Sequence, residues 1–171
     1  APSISGPTAI RYPRGAGVGA DQTSLKEPIL LGKAEVCRDG TDVAILALGS
    51  TLHPALQAAE QLARQHIQAM VINPRFIKPL DSSLLEGLFR RRIPLVTVEE
   101  SMLCGGFGTG VMELANDLGY APRMLRLGLP DTFAPQGTPL ELRRMFGLDA
   151  DGVAGRISEW MSARTALKAV G

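Results

Sequence analysis

The sequence predicts an α/β fold of three layers, a mostly parallel sheet of about five strands held between helices. Two observations predict it. Short apolar runs alternate with longer segments of helical period, the pattern of successive βα units. Hydroxyl or carboxylate residues stand directly before the periodic segments, where they can cap the free amides of a helix start. The length of 171 residues is enough to bury one sizeable core.

Strands are expected at about residues 33 to 37, 43 to 48, 69 to 73, 94 to 98 and 123 to 127. The first helix is expected to start at Ser50-Thr51, whose hydroxyls can cap it, and to end near His66. Leu52, Ala55, Leu56, Ala59, Leu62 and Ala63 then fall on one face. Asp81-Ser82-Ser83 supplies a second cap, with Leu84, Leu85, Leu88 and Phe89 as the apolar face before Arg90-Arg91-Arg92. Three arginines in a last turn complement the helix dipole, so this run reads as a solvated helix end. Further helices are expected at about 108 to 118, 139 to 146 and 150 to 168, the last with Val153, Ile157, Trp160 and Met161 on one stripe.

The segment from Gly15 to Pro28 is Gly-rich, polar and aperiodic, and marks a boundary. Thr8 to Tyr12 in front of it reads as a short strand stopped by Pro13, too short to fold alone. Three parts follow: 1–15 as the tail of a preceding unit, 16–28 as a mobile linker and 29–171 as the domain proper. With no initiator Met and an abrupt start, the chain is expected to be a piece of a longer one.

Eighteen Lys and Arg against 17 Asp and Glu give a net charge of +1, which offers no general attraction to nucleic acid or an anionic membrane. No apolar run approaches the ~20 residues of a membrane span, and the first residues lack a signal-peptide pattern. A soluble, cytoplasmic protein is expected. Cys37 and Cys104 form no ligand or disulfide pattern and are expected to be reduced and mostly buried.

Gly105-Gly106-Phe107-Gly108-Thr109-Gly110 invites comparison with a dinucleotide loop, but Val111 stands where the third glycine of GxGxxG belongs. A tight turn before a closely packed helix is the better reading. Glu99 and Glu100 follow Leu95 to Val98 at a strand's carboxyl end, where open α/β sheets carry functional groups. One of them is expected to cap the Gly-rich turn or to meet a partner domain. An acid/base role is disfavoured, because no second group is placed to work with them. His53 is read as a polar contact beside the sheet edge, and His66 as a structural helix end whose imidazolium meets free carbonyls. No GxSxG, HExxH or Cys/His pairing supports nucleophilic or metal catalysis.

Arg11-Tyr12-Pro13-Arg14-Gly15 resembles the segment that joins the pyrimidine-binding and C-terminal domains in the deoxyxylulose-phosphate synthase family. Gly32 to Val36, Gly40 to Ser50 and Arg75 to Asp81 are also similar to this family, the first two in a style shared across the transketolase superfamily. Val96 to Glu100 with Gly105 to Gly108 is also similar to the beta subunits of 2-oxo-acid dehydrogenases. The stretch Leu127-Gly128-Leu129-Pro130-Asp131-Thr132-Phe133, with Pro135 to Thr138 and Gly147 to Asp149, resembles the synthases in particular.

The resemblance implies a transketolase C-terminal-domain-like fold for 29–171 and a pyrimidine-binding-domain tail for 1–15. It implies a transferase that condenses pyruvate, with decarboxylation, onto D-glyceraldehyde 3-phosphate, feeding isoprenoid, thiamine and pyridoxal synthesis. Thiamine diphosphate and Mg²⁺ are the implied cofactors, held by parts of the family outside this chain, so no catalytic, cofactor or metal residue is expected here. Arg11 is the one implied substrate contact, to the phosphate of glyceraldehyde 3-phosphate, and a guanidinium suits that task. Arg14 is expected to be a solvated or interdomain contact. The implied partners are the N-terminal part of the enzyme, in the same or a separate chain, and a second copy in a homodimer. Two alternatives stay open: a related superfamily enzyme, or a non-catalytic module holding an anion at the Ser50 or Gly108 helix start.

Overall fold

The computed structural model describes residues 6–9 and 29–168. Arg11, Arg14 and the expected linker up to residue 28 lie outside the described residues, as does most of the expected strand at Thr8 to Tyr12. From residue 29 onward the apolar runs become five strands: β1 Glu35–Arg38, β2 Val43–Ala47, β3 Ala69–Asn73, β4 Leu95–Met102 and β5 Met124–Leu129. The periodic segments become α1 Leu52–Arg64, α2 Ser82–Arg90, α3 Phe107–Asp117, α4 Pro139–Phe146 and α5 Ala150–Lys168.

The strands lie in the order β1-β3-β2-β4-β5. β1 is antiparallel to β3, and the other pairings are parallel. Side chains alternate across a strand, so a strand covered on both faces is apolar throughout. All five residues of β2 are buried. Val43, Ile45 and Ala47 face the layer of α1 and α5, with Leu62, Val153 and Ile157. Ala44 and Leu46 face the layer of α2 and α3, with Leu85, Phe89, Phe107 and Val111.

This order places a reversal at the centre of the sheet. The chain passes from β2 through α1 to β3 on one side, then returns through α2 to β4 on the other. At such a switch point the loops leave the carboxyl ends in opposite directions and open a crevice. The turn after β2, Gly49 to Thr51, and the end of β4, Glu99 to Met102, border it.

Several details differ from expectation. β4 continues to Met102 through a register shift after Val98, so Glu99 and Glu100 belong to the strand. Ser50 and Thr51 do not cap α1. Thr51 already has helical backbone angles, φ −78 and ψ −8, whereas a capping residue needs an extended backbone. Its hydroxyl instead donates to the Leu48 and Val98 carbonyls, each at 3.0 Å. Both cysteines are exposed: Cys37 lies on the edge strand β1 and Cys104 in the turn after β4.

Asp81 does cap α2, accepting from the Leu84 N–H at 3.2 Å. Of the arginine run, only Arg90 lies in α2, where it pairs with Glu86 at 2.6 Å. At the far ends of α1, α2 and α3, where β3, β4 and β5 begin, the chain turns through a left-handed residue: His66 at φ 62, Arg92 at φ 54 and Gly119 at φ 76. In each case that residue and the next donate their amides back to the helix. Backbone amides, rather than the His66 imidazole, therefore meet the free carbonyls of α1.

Candidate functional site at the carboxyl ends of the strands

Glu99 and Glu100 are consecutive on β4, so their side chains leave on opposite faces. Glu99 is completely buried. Its carboxylate accepts from the Phe107 N–H at 2.7 Å, the Gly108 N–H at 2.9 Å and the Ser101 hydroxyl. Phe107 and Gly108 open α3, so the carboxylate meets the positive end of the helix and supplies the cap that Gly106 cannot.

Two of the glycines are required by close approach, Gly106 to that carboxylate and Gly108 to β4 and β5 side chains. A Cβ on Gly106 would lie 2.4 Å from Glu99 Oε2 and 2.2 Å from the Met102 carbonyl. A Cβ on Gly108 would lie 2.5 Å from Thr97 Oγ1. The Gly-rich run is thus a cradle for Glu99 and for close packing of α3. Its amides are occupied by a carboxylate of the same chain, which removes the basis for anion binding at the Gly108 helix start.

Glu100 is exposed and joins three elements. The Ser50 hydroxyl donates to one carboxylate oxygen and Arg143 Nε donates to the other, each at 2.5 Å. Ser50 belongs to the turn after β2, and Arg143 to α4. Beneath α3, Arg126 Nη1 donates to the Leu103 carbonyl and to the Thr109 hydroxyl, both at 2.9 Å. The Thr97 hydroxyl is buried there without a hydrogen-bond partner. The Leu103 N–H donates to the Leu129 carbonyl at 2.9 Å, coupling the turn after β4 to the loop after β5.

That loop, residues 130–138, is exposed throughout, and Phe133 is wholly exposed. It ends in a capping box: Glu141 N–H donates to the Thr138 hydroxyl while the Glu141 carboxylate accepts from Thr138 N–H. Hydrogen bonds from the Thr138 backbone, then from its hydroxyl, hold the Glu141 carboxyl below its ordinary value.

Both oxygens of Glu99 are taken by protein donors, which makes it a structural carboxylate. His53 is exposed in the first turn of α1, and His66 lies at the opposite end of that helix. Neither imidazole is a hydrogen-bond partner of Glu99 or Glu100, whose partners are Ser101, Phe107 and Gly108 for the first and Ser50 and Arg143 for the second. Among the described residues no group of three or more His, Cys, Asp or Glu is placed to hold a metal. Arg11 falls outside the described residues. The expectation that one glutamate caps the Gly-rich turn is met by Glu99. Arg143, Arg126 and Thr97 also belong to this region, and the sequence alone does not mark Arg126 or Thr97. Thr138-Pro139-Leu140-Glu141 carries the capping-box pattern that locates α4, but no local pattern marks Arg143 as the partner of Glu100.

The model of the transketolase C-terminal domain matches residues 32–153. The chain is 48% identical over 159 residues to 1-deoxy-D-xylulose-5-phosphate synthase 1 of Geobacter metallireducens, covering 91% of this chain and 25% of that protein. It is 49% identical over 151 residues to the 1-deoxy-D-xylulose-5-phosphate synthase of Thermomicrobium roseum, covering 88% and 24%. The chain spans about a quarter of the length of these relatives. Among solved structures, a split-gene transketolase in the form of an inactive beta4 tetramer superposes with a TM-score of 0.72 at 32% identity, over 78% of this chain and 44% of that one. A transketolase of Pichia stipitis superposes with a TM-score of 0.52 at 20% identity, over 78% of this chain and 18% of that one, a likeness of fold alone. The central reversal of the sheet, the buried glutamate under a Gly-rich helix start and these matches lead to one assignment: the chain belongs to the transketolase C-terminal domain family.

Proposed function

We propose that this chain is the C-terminal portion of a 1-deoxy-D-xylulose-5-phosphate synthase and that it supports a thiamine-dependent active site built by the rest of the enzyme. The observation that carries the reading is identity of 48 and 49% over about nine-tenths of the chain, confined to a quarter of each synthase. The whole enzyme would join pyruvate to D-glyceraldehyde 3-phosphate with loss of carbon dioxide, giving 1-deoxy-D-xylulose 5-phosphate.

The described residues do not fit a thiamine diphosphate and Mg²⁺ site. The two carboxylates at the switch point are committed, Glu99 to the amides of α3 and Glu100 to Ser50 and Arg143. No step of the reaction is therefore assigned to them. Arg11 is the residue proposed to reach the substrate, by pairing its guanidinium with the phosphate of glyceraldehyde 3-phosphate.

The remainder of the synthase can reach this domain in the same polypeptide or as a second chain acting in a homodimeric assembly. The likeness to a split-gene transketolase supports the two-chain form. The test is turnover. Purified chain with pyruvate, glyceraldehyde 3-phosphate, thiamine diphosphate and Mg²⁺ is expected to form no product, and product is expected once the N-terminal remainder of a synthase is supplied. Turnover by the chain alone, or none with the remainder bound, contradicts the proposal. In the active assembly, Arg11→Ala is expected to raise the KM for glyceraldehyde 3-phosphate by about tenfold or more, the weight of a charged hydrogen bond. The KM for pyruvate is expected to change little.

A further inference from the structure

The carboxyl-end rim carries exposed apolar side chains that the core does not use. Phe133 is wholly exposed in the loop after β5, Ile77 is 55% exposed in the loop after β3, and Met102 is 49% exposed at the end of β4. Ile29, Leu30 and Leu31, at 56, 67 and 73% exposure, stand at the same end. Their place follows from two contacts: β1 begins at Glu35 opposite Asn73, the last residue of β3, and the chain just before it passes Pro79, which a Cβ on Gly32 would approach to 2.9 Å.

Large apolar side chains gathered on one end of a soluble fold mark a contact surface. An aromatic ring standing in full contact with water is suited to be its anchor. The rim is also held in place from within. Glu100 fixes α4 through Arg143, Thr138 caps α4, and the Leu103–Leu129 hydrogen bond ties the turn after β4 to the base of the Phe133 loop. Loops held in this way present a preformed surface and lose little freedom on binding.

We infer that this rim, anchored by Phe133, is the face that docks onto the thiamine-binding remainder of the synthase; the inference rests on the function proposed above. Two observations select that occupant over a second copy or an unrelated protein. The chain makes up about a quarter of its relatives, so a much larger body accompanies it in them. The polypeptide also enters β1 from this rim, since Ile29 to Leu31 precede the strand whose first residue, Glu35, lies opposite the last residue of β3.

The two exposed thiols make the test direct. Cys104 lies on the rim, in the turn between β4 and α3, and Cys37 lies on the edge strand β1. Burial and the Glu35 carboxylate push the Cys37 thiol up, so each cysteine is compared only with itself. Iodoacetamide labelling, read by mass spectrometry, is run on the chain alone and on its active assembly with the N-terminal remainder. Cys104 labelling is expected to slow by about tenfold or more in the assembly, since alkylation requires access to the thiol. Phe133→Ser, which touches no packed residue and so leaves the fold intact, is expected to weaken assembly by about thirtyfold, the effect of losing an interface anchor. An active assembly with unchanged Cys104 labelling and an unaffected F133S variant overturns the docking face and leaves the functional reading standing. Failure of the remainder to bind or to restore turnover overturns both. Protection of Cys104 in the chain alone at raised concentration, lost in F133S, assigns the rim to self-association and also overturns the inference.

Discussion

The two ends of the sheet solve the problem of free helix termini in different ways. At the amino ends of the strands, α1, α2 and α3 each close through a left-handed residue whose amides return to the helix. That closure is local, made within six residues, and asks nothing of distant segments. At the carboxyl ends the starts of α2 and α3 are closed by side chains, which also reach other segments. Glu99 of β4 caps α3, and Asp81 binds both α2 and the Ala34 N–H ahead of β1. One end is thus sealed by backbone, whereas the other is assembled from side chains contributed by separate loops, and it carries the exposed Phe133.

The largest effect that would break this comparison is at Glu99. Glu99→Ala leaves two buried amides of α3 without an acceptor and is expected to cost about 3 kcal/mol, read as a lower denaturation midpoint. A loss below about 1 kcal/mol would mean that α3 does not depend on this carboxylate. Asp81 comes next, with about 1 to 2 kcal/mol expected for Asp81→Ala at neutral pH from loss of the cap.

The Asp81 effect also has a pH signature. Burial alone would raise its carboxyl, but hydrogen bonds from Ala34, Ser83 and Leu84, with the Lys33 charge, together hold it below the ordinary value. A carboxyl depressed in the folded state adds stability that is fully present above the unfolded value, about pH 4, and is lost as pH falls through the lower folded value. The stability gap between wild type and Asp81→Ala is therefore expected to narrow below about pH 4. A gap that widens on acidification would contradict the assignment.

Smaller effects sharpen the amino-end half of the comparison. Arg92→Gly and His66→Gly relieve a left-handed strain and are expected to stabilise by up to about 1 kcal/mol each. Gly119→Ala, at the equivalent turn of α3, is expected to destabilise by about 1 kcal/mol. Destabilisation by Arg92→Gly or His66→Gly, or no loss from Gly119→Ala, would contradict a shared left-handed closure at these turns. The smallest change is expected from Glu100→Gln, at most about 1 kcal/mol, because its pairing with Arg143 is partly exposed.

The same asymmetry explains what could be read from the residues in order. The strands and helices follow apolar period, and Asp81 before Leu84-Leu85 announces its own cap, because those signals are local. Glu99 and Glu100 are polar residues that end an apolar run, so the sequence alone places the end of β4 at Val98. Only the pairing of Met102 with Leu129 reveals that it continues. Thr51 has the chemistry of a cap, yet its backbone is already helical and its hydroxyl turns to the Val98 carbonyl of another strand. The link from Ser50 through Glu100 to Arg143 joins residues 50 and 43 positions apart, beyond the reach of any local pattern. Exposure of Cys37 and Cys104 likewise depends on which strand becomes the edge and where a turn emerges.

Amide hydrogen exchange on the isolated chain and on its assembly with the N-terminal remainder tests the contrast between the two ends most directly. Added protection is expected at residues 100–106 and 129–138 on the carboxyl-end rim, with the turns at 64–67, 90–93 and 117–120 unchanged. Protection confined to those amino-end turns, or spread equally over both ends, would contradict it.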